Sequence, residues 1–271
     1  MAFIELEKSK LHYRVYGAGP NVLLAFHGYG QESHYFQQIA KELGPEYTLY
    51  AFDLFFHGGS YLQKKHMPLT KPFLAKFIRK FLKQEQVNKF SVMGFSMGGK
   101  FVLSLLEAFP EQVNRAFLIA PDGIHTHFWY NIATYPGWLQ GIFKRTVVKP
   151  KFFFGLLNKL QRYRLVDNSL VRFAEFQMSS TAKRLRVYKS WIGFRELSFD
   201  IRKIVNLLNR QQIHVTVFLG EYDQIISRKR VEVFVNALDS AHLVLLKTGH
   251  THLLHDVATY IRRNGHILQK A

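Results

Sequence analysis

"SVMGFSMGGKF", residues 91–101, sets one serine between two glycines: Gly94 stands two before Ser96, Gly98 two after, and Gly99 adds room. The stretch follows a short apolar run and opens onto a helical pattern, so a buried strand ending near Met93 would turn sharply into a helix beginning near Met97. A corner of this G-x-S-x-G kind forces the serine into a strained backbone conformation, and the small flanking residues avoid collision with neighbouring backbone. The same turn leaves the Met97 N–H at a helix N-terminus, where it can donate to a developing anion. A neutral hydroxyl is a poor nucleophile, so a serine in this place needs a base within hydrogen-bond reach and an anion to orient that base. A glycine-rich turn carrying a serine can also be only a turn. The strand before it and the helix after it are the context that the chemical reading requires.

Outward from this corner, strand-like and helix-like stretches alternate. Residues 3–7 and 11–16 have the pattern of a hairpin pair, and "NVLLAFHG" (21–28), "YTLYAFD" (47–53), "KFSVMGFS" (89–96) and "RAFLIAPDG" (115–123) are short apolar runs ending in Gly, Asp or Ser. Strands buried on both faces of a parallel sheet look like this. Between them, 33–43, 70–86 and 97–109 have the length and apolar spacing of crossover helices. The rhythm returns at "IHVTVFLGEYD" (213–223), a helix near 228–238, "AHLVLLKTGH" (241–250) and a last helix to about 263. The fold class expected is α/β, with a mostly parallel sheet of about eight strands flanked by helices.

The chain has 271 residues, with 48% hydrophobic and 21% charged, the composition of a globular protein able to bury a sizeable core. No run is long and apolar enough for a membrane span. Glu5 and Glu7 stand where a secretion signal would have a basic start and an apolar stretch, which predicts a soluble, unexported, cytoplasmic protein. With no cysteine, disulfides, thiolate metal sites and cysteine nucleophiles are excluded. The net charge of +18 implies attraction to polyanions: nucleic acid, anionic lipid or acidic substrates, unless it is only a solvated face. No nucleic-acid motif accompanies the charge, so nucleic acid is not the expected partner.

With the serine corner, further segments bring the chain into resemblance with the α/β-hydrolase superfamily over nearly its whole length. "HGYG" (27–30) resembles that family's oxyanion loop, "DLFFHGGS" (53–60) its Asp-x-x-x-His-Gly-x-Ser segment in the lipase, esterase and C–C hydrolase branches, "GEYDQII" (220–226) the loop presenting the acid, and "KTGHTHLLHD" (247–256) the loop presenting the histidine. The resemblance implies Ser96 as nucleophile, His250 as base and acid, Asp223 as orienting carboxylate, and the N–H groups of Tyr29 and Met97 as oxyanion hole. Asp122 is the rival acid, because some branches place it after the sixth strand; His252 and His255 are the rival bases. His27 and His57 are expected to hold loops by hydrogen bonds, and His27, Gly28, Phe95, Trp129 and Trp138 to line the substrate. No cofactor or metal is implied. A serine nucleophile argues against epoxide hydrolysis and dehalogenation, which use a carboxylate in this family. Phe55 and Phe56 depart from the proline and glycine frequent in that segment, which touches substrate fit rather than chemistry.

The rhythm breaks over 123–196, which holds 13 Lys or Arg against three acids and 15 of the 41 aromatics. The resemblance makes this a helical cap inserted after the sixth strand, with 1–122 and 197–271 as the core domain. Stretch 127–157 interleaves aromatics with cations, as interfacial helices on anionic membranes do, although the aromatics could equally pack the cap on the core. The expected function is therefore a serine hydrolase of carboxylic esters with an apolar acyl or alcohol part. The expected partners are a small-molecule or lipid-like ester and, through the basic cap, the inner face of an anionic membrane. C–C hydrolysis, acyl transfer or perhydrolysis would use the same triad, and a binding protein on a retained scaffold is the reading from another class. Nothing in the sequence sets the oligomeric state.

Overall fold

The computed structural model describes residues 2–124 and 179–265, with isolated positions between 141 and 163. The chain divides into two compact units, one of residues 1–66, 70–125 and 197–271, the other of residues 67–69 and 126–196.

The larger unit is an eight-stranded sheet with order β1-β2-β4-β3-β5-β6-β7-β8. β1 (Ala2–Leu6) and β2 (Ser9–Tyr16) pair antiparallel about a two-residue turn in which Glu7 (φ 47°) and Lys8 (φ 63°) both take the left-handed conformation, the geometry that matches strand twist in a tight hairpin. β2 meets β4 (Tyr47–Phe52) antiparallel, and β3 (Asn21–Phe26), β4, β5 (Phe90–Phe95), β6 (Val113–Ile119), β7 (His214–Gly220) and β8 (Ala241–Leu246) run parallel. Every residue of β4 and β5 is buried, as two covered faces require.

Helices α1 (Gln37–Leu43), α2 (Lys71–Gln84) and α3 (Gly98–Ala108) lie between the early strands. The helix expected over 33–43 is divided: residues 33–36 form a tighter 3₁₀ turn before α1. Thr70 caps α2 by accepting from the Phe73 N–H, and the helix buries Phe73, Phe77 and Phe81 at four-residue spacing, one face of a 3.6-residue period. Phe81 meets Phe52 edge-on at 5.1 Å, and Phe26 stacks on Phe52 at 5.2 Å and on Phe101 at 5.7 Å, so rings from β3, β4, α2 and α3 close the core beneath the serine corner.

In the smaller unit, α4 (Thr181–Gly193) is capped by Ser180, and the buried Arg184 donates to the Val147 carbonyl and the Thr181 hydroxyl. Leu69 N–H bonds to Gly193 O at 2.7 Å, which ties the short 67–69 segment to this helix. The larger unit resumes with α5 (Ile201–Arg210), a helix the sequence reading passed over; Asp200 caps it, and Ile204 and Leu208 are its buried stripe. Then come α6 (Arg228–Asn236) after β7 and α7 (Leu253–Arg263) after β8. Among the described residues no helix is long and apolar enough to cross a membrane. All the parallel strands point their carboxyl ends the same way, and in open α/β sheets the crevice outside those ends is where ligands bind.

Candidate active site

Ser96 stands at the corner between β5 and α3 with φ 50°, a conformation uncommon for a residue with a Cβ. Its backbone is held on both sides: Ser96 N–H donates to Ile119 O (2.9 Å), and Ser96 O accepts from Gly99 N–H (2.8 Å) and Asp122 N–H (2.9 Å). The flanking glycines are required by space. A Cβ on Gly98 would overlap the carbonyl oxygen of Phe26, and one on Gly94 would come within 2.7 Å of Gly98 O. Met97, at the start of α3, has an N–H with no acceptor among the described residues.

His250 follows β8 in a short 3₁₀ turn, and its two ring nitrogens face different partners. Nδ1 lies 2.7 Å from Asp223 Oδ2 and Nε2 lies 3.0 Å from Ser96 Oγ. The carboxylate can only accept, so the bond to Asp223 assigns the proton to Nδ1 and leaves Nε2 as acceptor for the serine hydroxyl. The Asp223 side chain is fully buried. Burial alone would raise its pKa, but the hydrogen bond and charge of His250 and the N–H groups of Ile226 and Ile225 outweigh that and hold it below the ordinary value. The two loops are tied together directly: Tyr222 N–H donates to Thr248 O (3.1 Å) and Glu221 N–H to Leu246 O (2.8 Å).

The rivals lie elsewhere. Asp122 pairs with Lys100 Nζ at 3.6 Å, His255 is exposed and bonds to Gln38 (2.8 Å), and His252 is exposed. Phe95 packs its ring on His250, with centroids 5.1 Å apart. Gly28 lies against the same group: a Cβ there would strike the Phe95 ring and approach Ser96 Cβ to 3.3 Å. Trp129 and Trp138 lie outside the described residues.

His27 sits at the junction of loops 27–30 and 53–60. It is completely buried, its Nδ1 donates to Gly28 O (2.7 Å) and its Nε2 accepts from Leu54 N–H (2.9 Å), so both nitrogens are spent on joining loop 27–30 to loop 53–60. Burial, with the nearby His57, pushes its pKa down to about 3, which keeps it neutral. His57 completes the join: it donates from Nδ1 to Phe55 O (3.1 Å), accepts at Nε2 from Gly30 N–H (3.1 Å) and presents its ring to Tyr29 at 5.6 Å. Gly28 N–H is taken up by the Gln31 side chain at 3.1 Å, a loop partner the sequence reading did not single out. Asp53 anchors the second loop by accepting from Ser33 N–H (2.6 Å), Gly59 N–H (2.9 Å) and His12 Nδ1 (2.7 Å). Burial would raise the Asp53 pKa; these donors hold it below its usual value. Lys100 is a buried cation in the otherwise apolar first turns of α3. Among the described residues no group of three or more His, Asp or Glu side chains is arranged to hold a metal ion.

The family model described as "alpha/beta hydrolase fold" matches residues 21–256. Among curated proteins, an uncharacterized protein of Mycobacterium tuberculosis is 29% identical over 112 residues, which is 41% of this chain and only about a third, 32%, of that relative's length. Among solved structures, a thermophilic esterase from Thermogutta terrifontis superposes with a TM-score of 0.69 at 16% identity, covering 99% of both chains. The enol-lactonase from Burkholderia xenovorans LB400 gives 0.68 at 14% identity, covering 99% of this chain and 100% of its own. Strand order, serine corner and family match agree, and the chain belongs to the α/β-hydrolase fold family.

Proposed function

We propose that the protein is a serine hydrolase that cleaves a carboxylic ester with an apolar acyl or alcohol part. One observation carries the reading: the hydrogen-bonded row from Asp223 Oδ2 through both nitrogens of His250 to Ser96 Oγ, at 2.7 and 3.0 Å. In this reading Ser96 Oγ attacks the acyl carbon while its proton passes to His250 Nε2, and the carbonyl π electrons move onto oxygen. The N–H groups of Met97 and Tyr29 hold that oxyanion. Asp223 stabilises the imidazolium and keeps its orientation. Collapse expels the alcohol, which takes the proton from Nε2; water, deprotonated by the same nitrogen, then releases the acid and restores Ser96. The likeness to structures named as an esterase and an enol-lactonase supports an ester over a C–C bond as the group cleaved.

Residues 123–196 are where we place the choice of substrate, as a helical cap on the 1–122 and 197–271 core. Their 13 cations against three acids, among 15 aromatics, support a lipid-like ester and an anionic membrane surface as partner for a cytoplasmic protein. The deciding experiment is Ser96→Ala. It is expected to abolish turnover of short p-nitrophenyl esters and labelling by a fluorophosphonate while leaving the fold intact. Labelling of the variant equal to wild type would sink the reading.

A further inference from the structure

We propose that Lys100 and Asp122 form a clamp that holds Ser96 in its reactive backbone conformation; this rests on Ser96 being the nucleophile. Three left-handed positions gather at this corner: Ser96 (φ 50°), Ala120 (φ 41°) and Gly123 (φ 107°). Two of the three backbone hydrogen bonds that hold Ser96 come from the end of β6 and the turn that follows it, from Ile119 O and Asp122 N–H. The position of Ser96 therefore depends on the position of the 120–123 turn.

That turn lies on the first turns of α3. A Cβ on Gly99 would run into Asp122 O at 2.6 Å, and the Gly123 position faces Leu103 and Lys100. The ion pair completes a ring: from Ser96 across its carbonyl to the Asp122 backbone, through the Asp122 carboxylate to Lys100 Nζ at 3.6 Å, and back along α3 to Ser96. The Lys100 side chain is only 3% exposed and the Asp122 side chain 30%. Burying an ammonium is costly, and a cation in the first turn of a helix opposes the helix dipole, so local stability would be served better by an apolar residue here.

The test measures kcat and KM on p-nitrophenyl acetate and the rate of fluorophosphonate labelling in the full chain and its Lys100→Met, Lys100→Arg, Asp122→Asn and Ser96→Ala variants. Lys100→Met is expected to lower kcat and the labelling rate together by about tenfold or more, with KM little changed, because a small misplacement of a reacting group costs rate rather than binding. Lys100→Arg is expected to recover most of both. If Lys100→Met does not fold, Asp122→Asn reads the same pair, since it keeps the backbone bond to Ser96 and removes only the charge. Wild-type kcat and labelling in the folded charge variants overturn the clamp, and so does a loss that Lys100→Arg shares in full. Failure of the nucleophile assignment looks different: Ser96→Ala itself would then keep turnover and labelling.

Discussion

Replacing Asp223 by asparagine changes one atom, and the site determines what that atom does. Oδ1 accepts from Ile225 N–H at 2.8 Å and Ile226 N–H at 3.0 Å, and these donors need an oxygen opposite them. The asparagine amide nitrogen must therefore occupy the Oδ2 position, 2.7 Å from His250 Nδ1. There it donates, Nδ1 must accept, and the ring proton moves to Nε2. That nitrogen then donates toward Ser96 Oγ and can no longer take its proton. A base held in the wrong tautomer costs about 10⁴ in kcat, or roughly 5.5 kcal/mol in barrier, for triads of this geometry. The assay is steady-state hydrolysis of a p-nitrophenyl ester by Asp223→Asn beside wild type, with thermal unfolding to show that the variant is folded. A folded variant that keeps a tenth or more of the wild-type kcat, or a larger loss in Asp122→Asn than in Asp223→Asn, would refute the reasoning.

The neutral, buried His27 links stability to pH. Its folded-state pKa of about 3 lies below the unfolded 6.5, so the unfolded chain binds the extra proton and stability is lost as pH falls below that unfolded value. The loss attributable to this residue is about 2 kcal/mol between pH 8 and pH 5, measurable as urea midpoints. His27→Gln should flatten that part of the pH dependence, and an unchanged slope would show that the imidazole is not its source. For the proposed membrane partner, flotation with neutral and anionic vesicles at low salt should show binding only to the anionic ones, abolished by added salt. Equal recovery with both vesicle types would count against the basic insertion as the cause.

The amino-acid sequence by itself determined the local devices, because each rests on neighbours in the chain. The Gly94-Ser96-Gly98 corner, the apolar runs and the residues closing each strand depend on spacing, and the structure has eight strands with Ser96, Asp223 and His250 after β5, β7 and β8. The α5 stripe, Ile204 and Leu208 behind the Asp200 cap, was also written locally and was passed over beside the stronger strand pattern. What only the tertiary structure decided is which distant groups meet. Asp122 and Asp223 each follow a buried strand, and although "GEYDQII" resembles an acid-presenting loop, only the folded chain brings one of the two carboxylates to the imidazole. In the fold, the loop after β7 brings Asp223 to His250 at 2.7 Å, while Asp122, after β6, turns to α3 and pairs with Lys100 at 3.6 Å. His27 was ambiguous for the same reason. Its partners are backbone atoms of its own loop and of Leu54, and a backbone donor or acceptor has no signature in a sequence until the fold brings it near.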